Sequence, residues 1–597
     1  LDQDLAVRSA NLGRIYSDLG FGQAALVQGW SALNIAPSNF TAHRFLSDAY
    51  SALPRHEAAR VSELLQSQLL QPINLNPVQP HLAEPRLHIV QGTGPADASF
   101  NEYNSLFNRD RLALLGSALI GERGNLGGEI VQSGVIGRAS YSIGHFHYQD
   151  NGFRQNNDID EDIYNTFVQF SLTPNTSVQA EYRNTNVSMG DRDIRSDLEN
   201  FSPERRSKNQ LESVRIGFHH SFSPHSDVIG SYIHSKEDRE FRDGVNTFFP
   251  IPFSFRISSP TQNTGDLGEI QHLFRTGRFR LVTGGGYLDM VSRNVTETET
   301  TLPFIPPIIA RTSSKTNITS GNIYLYSQTD LPADLTVTVG GAADFFDDGT
   351  EKRDLFSPKL GLTWTPIEST VFRAAGFRRF QRPLMTGQTI EPTQVSGFNQ
   401  LFDDQRGVGT DTWREGVGVD HKFSEKIFGG LELSRRDIEV PFLNNNLPET
   451  ADWEEAMVRS YFYWVFNTRF TGSVEFQYEK LERAKLAPEH YEEITTFRIP
   501  FGISFFHPSG FFARLRPSYV HQEGRFRAVT GSLFLPDSDS FVSVDASVGV
   551  LLPGRWGAVT LEARNLFDQS YSFQDTDPAN PSISPRRLLA LKYTFSF

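Results

Sequence analysis

The chain has 597 residues, a formal net charge of −14 and no cysteine. The acidic balance argues against a nucleic-acid-binding surface, and the lack of thiols excludes disulfides, cysteine nucleophiles and thiolate metal sites. No stretch approaches the roughly 18 apolar residues that a membrane helix needs, yet aromatic residues make up 12% of the chain. This composition fits a large soluble β protein or a membrane β-barrel, whose strands face lipid only at every second residue.

Residues 1–70 predict a helical segment with an internal repeat. Four positions recur with a shift of 34 residues, and the equivalent pairs are Leu12 and Leu46, Tyr16 and Tyr50, Leu19 and Leu53, and Ala24 and Ala58. The pattern resembles the tetratricopeptide repeat, in which such small and aromatic positions pack two helices together. The resemblance implies a periplasmic segment that binds a protein partner. An unrelated pair of helical hairpins is the alternative.

Residues 71–106 predict a linker. Prolines recur every few residues, at Pro72, Pro77, Pro80 and Pro85, and they exclude a continuous helix. We expect this linker to be extended and treat it as a candidate for docking in the lumen of the next domain.

Residues 107–597 have a hydrophobic period of two. In one segment Val542, Val544 and Val548 share a face, whereas Ser543 and Asp545 lie on the other. Alternating segments of about ten residues are the expected signal of a transmembrane β-barrel.

The connections between these segments fall into two length classes. Short turns are predicted at residues 137–138, 173–175, 223–225, 276–277, 332–333, 366–367, 424–425, 467–468, 508–510 and 553–554. Longer polar or proline-rich stretches separate them, for example 190–209, 240–266, 295–315, 382–410 and 526–538. Short periplasmic turns and long external loops are typical of outer-membrane barrels. We therefore predict a mainly β fold, an antiparallel transmembrane barrel of about 22 strands with both ends in the periplasm.

The end of the chain carries a more specific motif. The segment L-E-A-R-N-L-F-D-Q-S-Y precedes a final strand that ends in phenylalanine. It resembles the last two strands of TonB-dependent outer-membrane receptors, and the matching residues are Asn565, Leu566, Phe567, Asp568 and Tyr571. The resemblance implies that the terminal aromatic residues are read by the barrel-insertion machinery, and these are Tyr593, Phe595 and Phe597.

The same receptors carry a TonB box and a globular plug ahead of the barrel. Residues 1–106 show no plug signature, and most of them are assigned to the repeats. We therefore expect the plug to be missing. A barrel of about 22 strands encloses more space than its own side chains fill, so the linker, inward-folded loops or a partner must obstruct the lumen.

Catalytic signatures are not found, and we predict that the chain is not an enzyme. An external carboxylate cluster is a candidate Ca²⁺ site, with ordinary solvated charge as the alternative; it comprises Asp158, Asp160, Glu161 and Asp162. His145 and His147 share one strand face and form a candidate metal pair directed at the lumen, or simply part of its polar lining. No other cofactor is expected.

Three functional hypotheses follow. The first is a translocation channel of the bacterial outer membrane, comparable to a porin or secretion pore, which exports or assembles a surface polymer or protein fibre. Its repeats would recruit a periplasmic partner. The second is a ligand-uptake transporter like the TonB-dependent receptors, and the third is a structural anchor for a surface assembly. All three place the barrel in outer-membrane lipid and lipopolysaccharide, and none involves nucleic acid.

Overall fold

The computed structural model describes the helical segment and the barrel strands. The described residues are 9, 12–51, 53–73, 111–247, 253–403, 408–444, 447–483, 491–527, 533–577, 581 and 583–596. The predicted linker thus lies outside the described residues from position 74 onwards.

The described N-terminal residues form four helices: α1 (residues 12–18), α2 (Gly22–Ile35), α3 (Phe40–Tyr50) and α4 (Glu57–Leu70). Asn39 caps the start of α3, because its side-chain oxygen accepts a hydrogen bond of 3.0 Å from the Ala42 N–H. Pro54 lies between α3 and α4, where it prevents one continuous helix. Within the described residues, no helix is both long enough and apolar enough to cross a membrane.

Twenty-four strands follow in the described part of the chain. They are β1 (Arg111–Gly121), β2 (Leu126–Ile136), β3 (Ala139–Asp150), β4 (Ile159–Thr173), β5 (Thr176–Met189), β6 (Arg206–Ser223), β7 (Ser226–Thr247), β8 (Phe253–Thr276), β9 (Phe279–Thr301), β10 (Ile308–Leu331), β11 (Leu335–Asp347), β12 (Lys352–Ile367), β13 (Thr370–Phe380), β14 (Gln394–Val395), β15 (Phe398–Asn399), β16 (Asp411–Ser424), β17 (Ile427–Asn444), β18 (Leu447–Val465), β19 (Phe470–Arg483), β20 (Tyr491–Phe506), β21 (Phe511–Arg527), β22 (Phe534–Leu551), β23 (Ala558–Arg564) and β24 (Leu588–Ser596).

Of these described strands, 22 form one closed antiparallel sheet, and β14 and β15 pair only with each other. The barrel closes where β1 pairs with β24, for example through Ala118 opposite Tyr593. Closure removes the free edge that an aromatic-rich last strand would otherwise expose. The predicted fold, a mainly β chain with a barrel of about 22 strands, is confirmed.

The predicted short turns all coincide with strand connections, to within two residues. Gly137 and Gly277 adopt positive φ angles of 56° and 44° in two of them, which glycine tolerates because it has no Cβ. Arg111, at the start of β1, is opposite Val135, close to the turn at residues 137–138. The barrel therefore starts at the short-turn rim, and the even strand count returns its last strand there, as predicted.

Two of the predicted external loops are instead largely strand. The sequence predicts loops over 240–266 and 295–315, but β7 continues to Thr247, and β9 continues to Thr301. Polar side chains do not end these strands, because backbone pairing with the neighbouring strands continues regardless of whether the outer face is apolar. With up to 24 residues, the strands exceed the roughly 9–11 residues that cross a membrane. They project as hairpins beyond its external surface.

The barrel wall has different inner and outer faces. On β4, Ile163 and Phe167 point inward and are buried, whereas Tyr164, Val168 and Phe170 point outward and are exposed. Because successive side chains of a strand point to opposite faces, this alternation gives the barrel an apolar outer band for lipid. The inward side chains are buried because the lumen is occupied.

Candidate functional site

The helical segment, defined here as residues 12–73, lies inside the barrel. Tyr16 and Phe21 pack against Phe428 of β17 and Tyr463 of β18, and the rings of Phe21 and Tyr463 stack with centroids 4.7 Å apart. Both wall residues face inward. The contact excludes water from four aromatic rings. It therefore anchors the helical segment to the wall by apolar packing.

The other end of the helical segment contacts a distant part of the wall. Leu65 and Leu69 of α4 pack against Ile229 of β7 and Leu273 of β8. Strands β7 and β8 are widely separated around the barrel from β17 and β18, so the helices fill the space between them. The sequence predicted these helices in the periplasm and the linker, an inward loop or a partner in the lumen, whereas the structure places the helices themselves in the lumen.

Helix α4 runs across the lumen from its external to its periplasmic side. Near its start, the Ala58 N–H donates a hydrogen bond of 2.9 Å to Asp403, which lies in an external connection. Just after its end, the Gln71 side chain donates one of 3.2 Å to Gln169, close to the periplasmic turn after β4. The segment therefore leaves the barrel on the periplasmic side.

The polar residues of α4 are buried along with the apolar ones. Ser62, Glu63, Gln66, Ser67 and Gln68 are all among its buried residues. Buried polar groups need hydrogen-bond partners, and the barrel and α3 provide them. The Ser67 hydroxyl donates a hydrogen bond of 2.7 Å to the Phe40 carbonyl, and the Gln68 side chain accepts one from Arg215 of β6.

An external loop also enters the lumen. Residues 381–403, between β13 and β16, fold inward and contact α4. The Thr389 N–H donates a hydrogen bond of 3.2 Å to the Ser62 hydroxyl, and the Thr393 hydroxyl donates one to the Glu63 carboxylate. The helices and this loop thus form one body inside the barrel.

Charged groups fix this inward loop to the wall. Arg382 forms a 2.9 Å ion pair with Glu269 of β8, and Glu391 forms one of 2.9 Å with Arg379 of β13. Burial by itself would raise the pKa of the Glu391 carboxyl, but the guanidiniums of Arg379 and Arg382 outweigh it and lower that pKa to about 2. Glu391 is therefore ionised at neutral pH.

A second ionic junction holds the turn between α3 and α4. Arg55 has a positive φ of 58°. Its backbone N–H donates a hydrogen bond of 2.7 Å to the Asp577 carboxylate in the external loop between β23 and β24. Its guanidinium pairs with Glu455 of β18 and Glu479 of β19. Arg436 contacts the same Glu455 at 2.5 Å. The external end of the helical segment is thus held by charge.

A small cavity, with room for about one water molecule, adjoins this junction on the external side of the helices. Arg55, Trp453, Arg483 and Thr576 are among its lining residues. The Arg483 guanidinium lies 4.4 Å from the ring centroid of Trp453 and 4.1 Å from that of Tyr491. Trp453 Nε1 and the Tyr491 hydroxyl are buried donors that have no hydrogen-bond partner among the described residues. Two cations and two such donors suit an anionic or oxygen-rich group, although Glu454 and Glu482 also line the cavity and balance the charge of the cations.

The residues of the predicted repeat are divided between two clusters. Leu46 and Tyr50 are buried in a cluster formed mainly by the helices, whereas Tyr16 and Ala24 belong to the cluster that packs on the wall. Leu12 is partly exposed at 38%. Assignment of the helices to tetratricopeptide repeats stays a prediction.

The C-terminal motif organises the loop between β23 and β24. Asn565 has a positive φ of 45°, and its side chain donates to the carbonyls of Gln569 and Ser584 at 2.9 and 3.2 Å. Tyr571 stacks on Phe541 with ring centroids 4.0 Å apart. The Asp568 carboxylate accepts a hydrogen bond of 2.8 Å from the backbone N–H of Arg587, just before the final strand.

The remaining motif residues and the predicted insertion signal lie at the outer surface or near the chain end. Phe567 is 74% exposed, and Leu566 donates its N–H to the Val544 carbonyl at 2.8 Å. Tyr593 and Phe595 stack on the last strand with centroids 5.6 Å apart. Phe597 lies outside the described residues, and the role of these aromatics in insertion stays a prediction.

The four predicted calcium ligands do not face one point. Glu161 points inward and is buried, whereas Asp160 and Asp162 point outward from the same strand. Asp158 forms a 2.6 Å ion pair with Arg206. The structure thus brings together two of the four carboxylates, and calcium binding stays a prediction.

A closed 22-stranded barrel with an occupied lumen is the architecture of outer-membrane transporters. The chain belongs to the family described as TonB dependent receptor-like, beta-barrel, whose model matches residues 140–452, just over half of the chain. This membership confirms the predicted outer-membrane location and the prediction that the chain is not an enzyme. It favours uptake over export.

Solved structures share this fold. The ferric-catecholate import receptor Fiu from E. coli K12, in its closed form, is 12% identical with a TM-score of 0.60, covering 82% of each chain. The siderophore receptor PiuA from Acinetobacter baumannii is 11% identical with a TM-score of 0.61, also over 82% of each chain. The copper transporter OprC is 13% identical with a TM-score of 0.60, over 82% of this chain and 81% of that one. The sequence matches no curated protein.

Sequence reasoning missed the residues that join the helices to the barrel. Arg55 and Glu455 are 400 positions apart, so no local spacing relates them. One signal was present in the sequence: α4 carries Arg60, Glu63, Gln66 and Gln68 around much of its circumference. A helix that is polar on most faces is unsuited to a purely apolar core, and the polar lumen of a barrel accommodates it.

Proposed function

We propose that the protein is a ligand-uptake transporter in which the helical segment and the inward loop 381–403 close the lumen. The observation that carries this proposal is the ionic junction at Arg55. It joins the external side of the helical segment to Glu455 and Glu479 of the wall, beside a small cavity that Arg55 itself lines. A ligand there would contact the wall and the helices together.

The chemistry of the cavity indicates the class of ligand. Arg55 and Arg483 supply positive charge beside the carboxylates of Glu454 and Glu482, and Trp453 and Tyr491 supply aromatic faces and donors that have no hydrogen-bond partner among the described residues. A metal chelate with anionic oxygen donors is the ligand class that fits these groups, and it enters only when the helical segment moves, because the closed cavity has room for about one water molecule. The neighbours named above as a ferric-catecholate import receptor, a siderophore receptor and a copper transporter support the same class.

Passage requires the helical body to move, and the ionic junction is the point at which a ligand acts on it. An anionic ligand beside Arg55 competes with Glu455 and Glu479 for the same guanidinium. A ligand shifts a conformational equilibrium only by its difference in affinity for the two states. Competition at Arg55 supplies such a difference, because the released state frees the guanidinium for the ligand.

Partner recruitment through the helices, as predicted from the repeat, requires the same movement. Residues Ser62 to Leu70 of α4 are buried within the barrel. A periplasmic partner therefore reaches this surface only after the segment leaves the lumen. We propose that any such partner binds the displaced segment.

Calorimetric titration of the detergent-purified protein tests the ligand site. The probe is the ferric complex of 2,3-dihydroxybenzoate, with the copper–histidine complex as a second arm. We expect Arg483→Ala to weaken binding of the ferric probe by at least about tenfold, since a charge-assisted hydrogen bond contributes about 1.5–3 kcal/mol. Arg435→Ala is the matched control, because Arg435 is exposed on the outer face. Equal affinity in both variants would place the ligand elsewhere.

A further inference from the structure

A group of histidine and aspartate side chains lies on the outer wall of the barrel, away from the lumen. His145 and His147 alternate along β3 with residues such as Phe146, which is buried inside, so both imidazoles point outward. On the adjacent strand β4, Asp160 and Asp162 also point outward. The sequence hypothesis that the two histidines face the lumen is therefore wrong.

The strand register brings these four side chains together. His147 lies directly opposite Asp162, and Asp162 Oδ1 is 3.1 Å from both His145 Nε2 and His147 Nδ1. Single ligand atoms of His147, Asp160 and Asp162 all lie within 4.8 Å of one another. Residues opposite each other or two apart on paired strands share one face. The barrel backbone therefore fixes the arrangement.

The donor set selects a class of metal ion. An imidazole nitrogen with two carboxylate oxygens suits borderline divalent ions such as Zn²⁺, whereas Ca²⁺ and Mg²⁺ prefer oxygen ligands alone. We propose that His147, Asp160 and Asp162 form a site for a divalent transition-metal ion, with Zn²⁺ as its representative and with His145 beside it, at 3.1 Å from Asp162. The two carboxylates balance the charge of the ion.

Two further features favour this site. The ring of His145 stacks on Tyr164 with centroids 4.5 Å apart and an interplanar angle of 15°, which restricts its orientation before any ion arrives. The side chains of His145, His147 and Asp162 are 40%, 35% and 30% exposed. An ion therefore reaches them from outside without any movement of the barrel.

The position of the site separates it from ligand uptake. Tyr164 belongs to the exposed apolar band of β4, and the site lies on the external side of that residue. An ion bound there joins β3 to β4 at the external boundary of the membrane. Its binding does not require the lumen to open, so the site is independent of the proposed function.

Titration of the folded, tag-free protein in detergent with ZnCl₂, in competition with a chromogenic chelator, tests the proposal. We expect one Zn²⁺ per chain, and CaCl₂ in excess should not displace it. Removal of groups that merely orient a metal ligand costs roughly 10–100-fold in affinity, so His147→Ala and Asp162→Asn should each cost at least that much. His225→Ala is the control, since His225 lies in the turn at the opposite rim.

Folding of each variant is checked by its heat-modifiable migration in gel electrophoresis. His147→Gln serves as a second variant of similar size if the alanine form does not fold. The proposal is overturned if wild type binds no Zn²⁺ at millimolar concentration. It is also overturned if the variants at His147 and Asp162 bind as tightly as wild type, or if Ca²⁺ displaces Zn²⁺.

Discussion

The periplasmic and external sides of the helical segment are held to the barrel by different kinds of contact. At the periplasmic end, Phe21 stacks on Tyr463, and Tyr16 packs on Phe428. At the external end, Arg55 pairs with carboxylates of the wall. Apolar contacts do not respond to the charge of a ligand or to pH, whereas ion pairs respond to both.

This difference indicates how the lumen opens. A charged ligand arriving from outside meets the ionic end first, and there it competes for the same guanidinium. The aromatic end remains in place until a larger force or a partner displaces it. We therefore expect opening to begin at Arg55 and to be completed only when Phe21 leaves its site.

Removal of the whole segment should have the largest effect. Deletion of residues 12–70 removes both kinds of contact together with the helices that fill the lumen, so we expect a large, continuous conductance in planar lipid bilayers. Deletion of residues 302–307, at the tip of an external hairpin, is the control and should leave conductance at the wild-type level. If the first deletion conducts no more than wild type, the helices do not obstruct the pore.

Loss of the aromatic contact made by Phe21 should have the second-largest effect. Phe21 is fully buried, and Phe→Ala in a packed core costs about 3–5 kcal/mol. We expect Phe21→Ala to reduce amide hydrogen-exchange protection in α1 and α2 while the barrel strands stay protected. Phe304→Ala, at a fully exposed position, should change nothing. Unchanged protection in the Phe21 variant would show that the aromatic contact does not hold the helices.

Loss of the ionic junction should have a smaller effect, because Glu455 keeps its contact with Arg436 at 2.5 Å. Hydrogen bonds to charged groups contribute about 1.5–3 kcal/mol. We expect Arg55→Ala to produce brief openings in single-channel recordings, whereas Arg435→Ala remains closed. Continuous opening in the Arg55 variant would contradict the two-stage order, because the aromatic end should still hold.

Acidification should give the smallest effect, confined to the inward loop. The pKa of Glu391 is lowered from its ordinary value of 4.5 to about 2 by Arg379 and Arg382, which outweigh the effect of burial. A depressed pKa stabilises the docked loop fully above pH 4.5, and this contribution is lost as pH falls towards 2. We expect conductance to stay at its pH 7 level down to about pH 4.5 and to rise below it.

The Glu391→Gln variant separates this effect from general acid damage. It cannot ionise, so its conductance should lack the step attributed to Glu391 between pH 4.5 and about pH 2. Identical pH profiles in wild type and variant would mean that another group controls the loop.

The sequence alone determined the barrel. Strand periodicity is a local property, because side chains such as Val542 and Ser543 must point to opposite faces whatever surrounds them. The short turns are also local, since residues such as Gly137 favour a tight reversal of the chain. Together these local signals predicted the strand count and the rim at which the chain ends.

Only the tertiary structure decided what fills the barrel and which face of each strand points into the lumen. Alternation defines two faces but does not say which is inner once the strand leaves the lipid. On β3, the inner face near the external end carries Phe146 and the outer face carries His147, the reverse of the pattern within the membrane. Polar residues face water there, so hydrophobicity no longer identifies the outer face. The pairing of Arg55 with Glu455 arises from closure of the barrel around the helices, a contact between residues far apart in the chain.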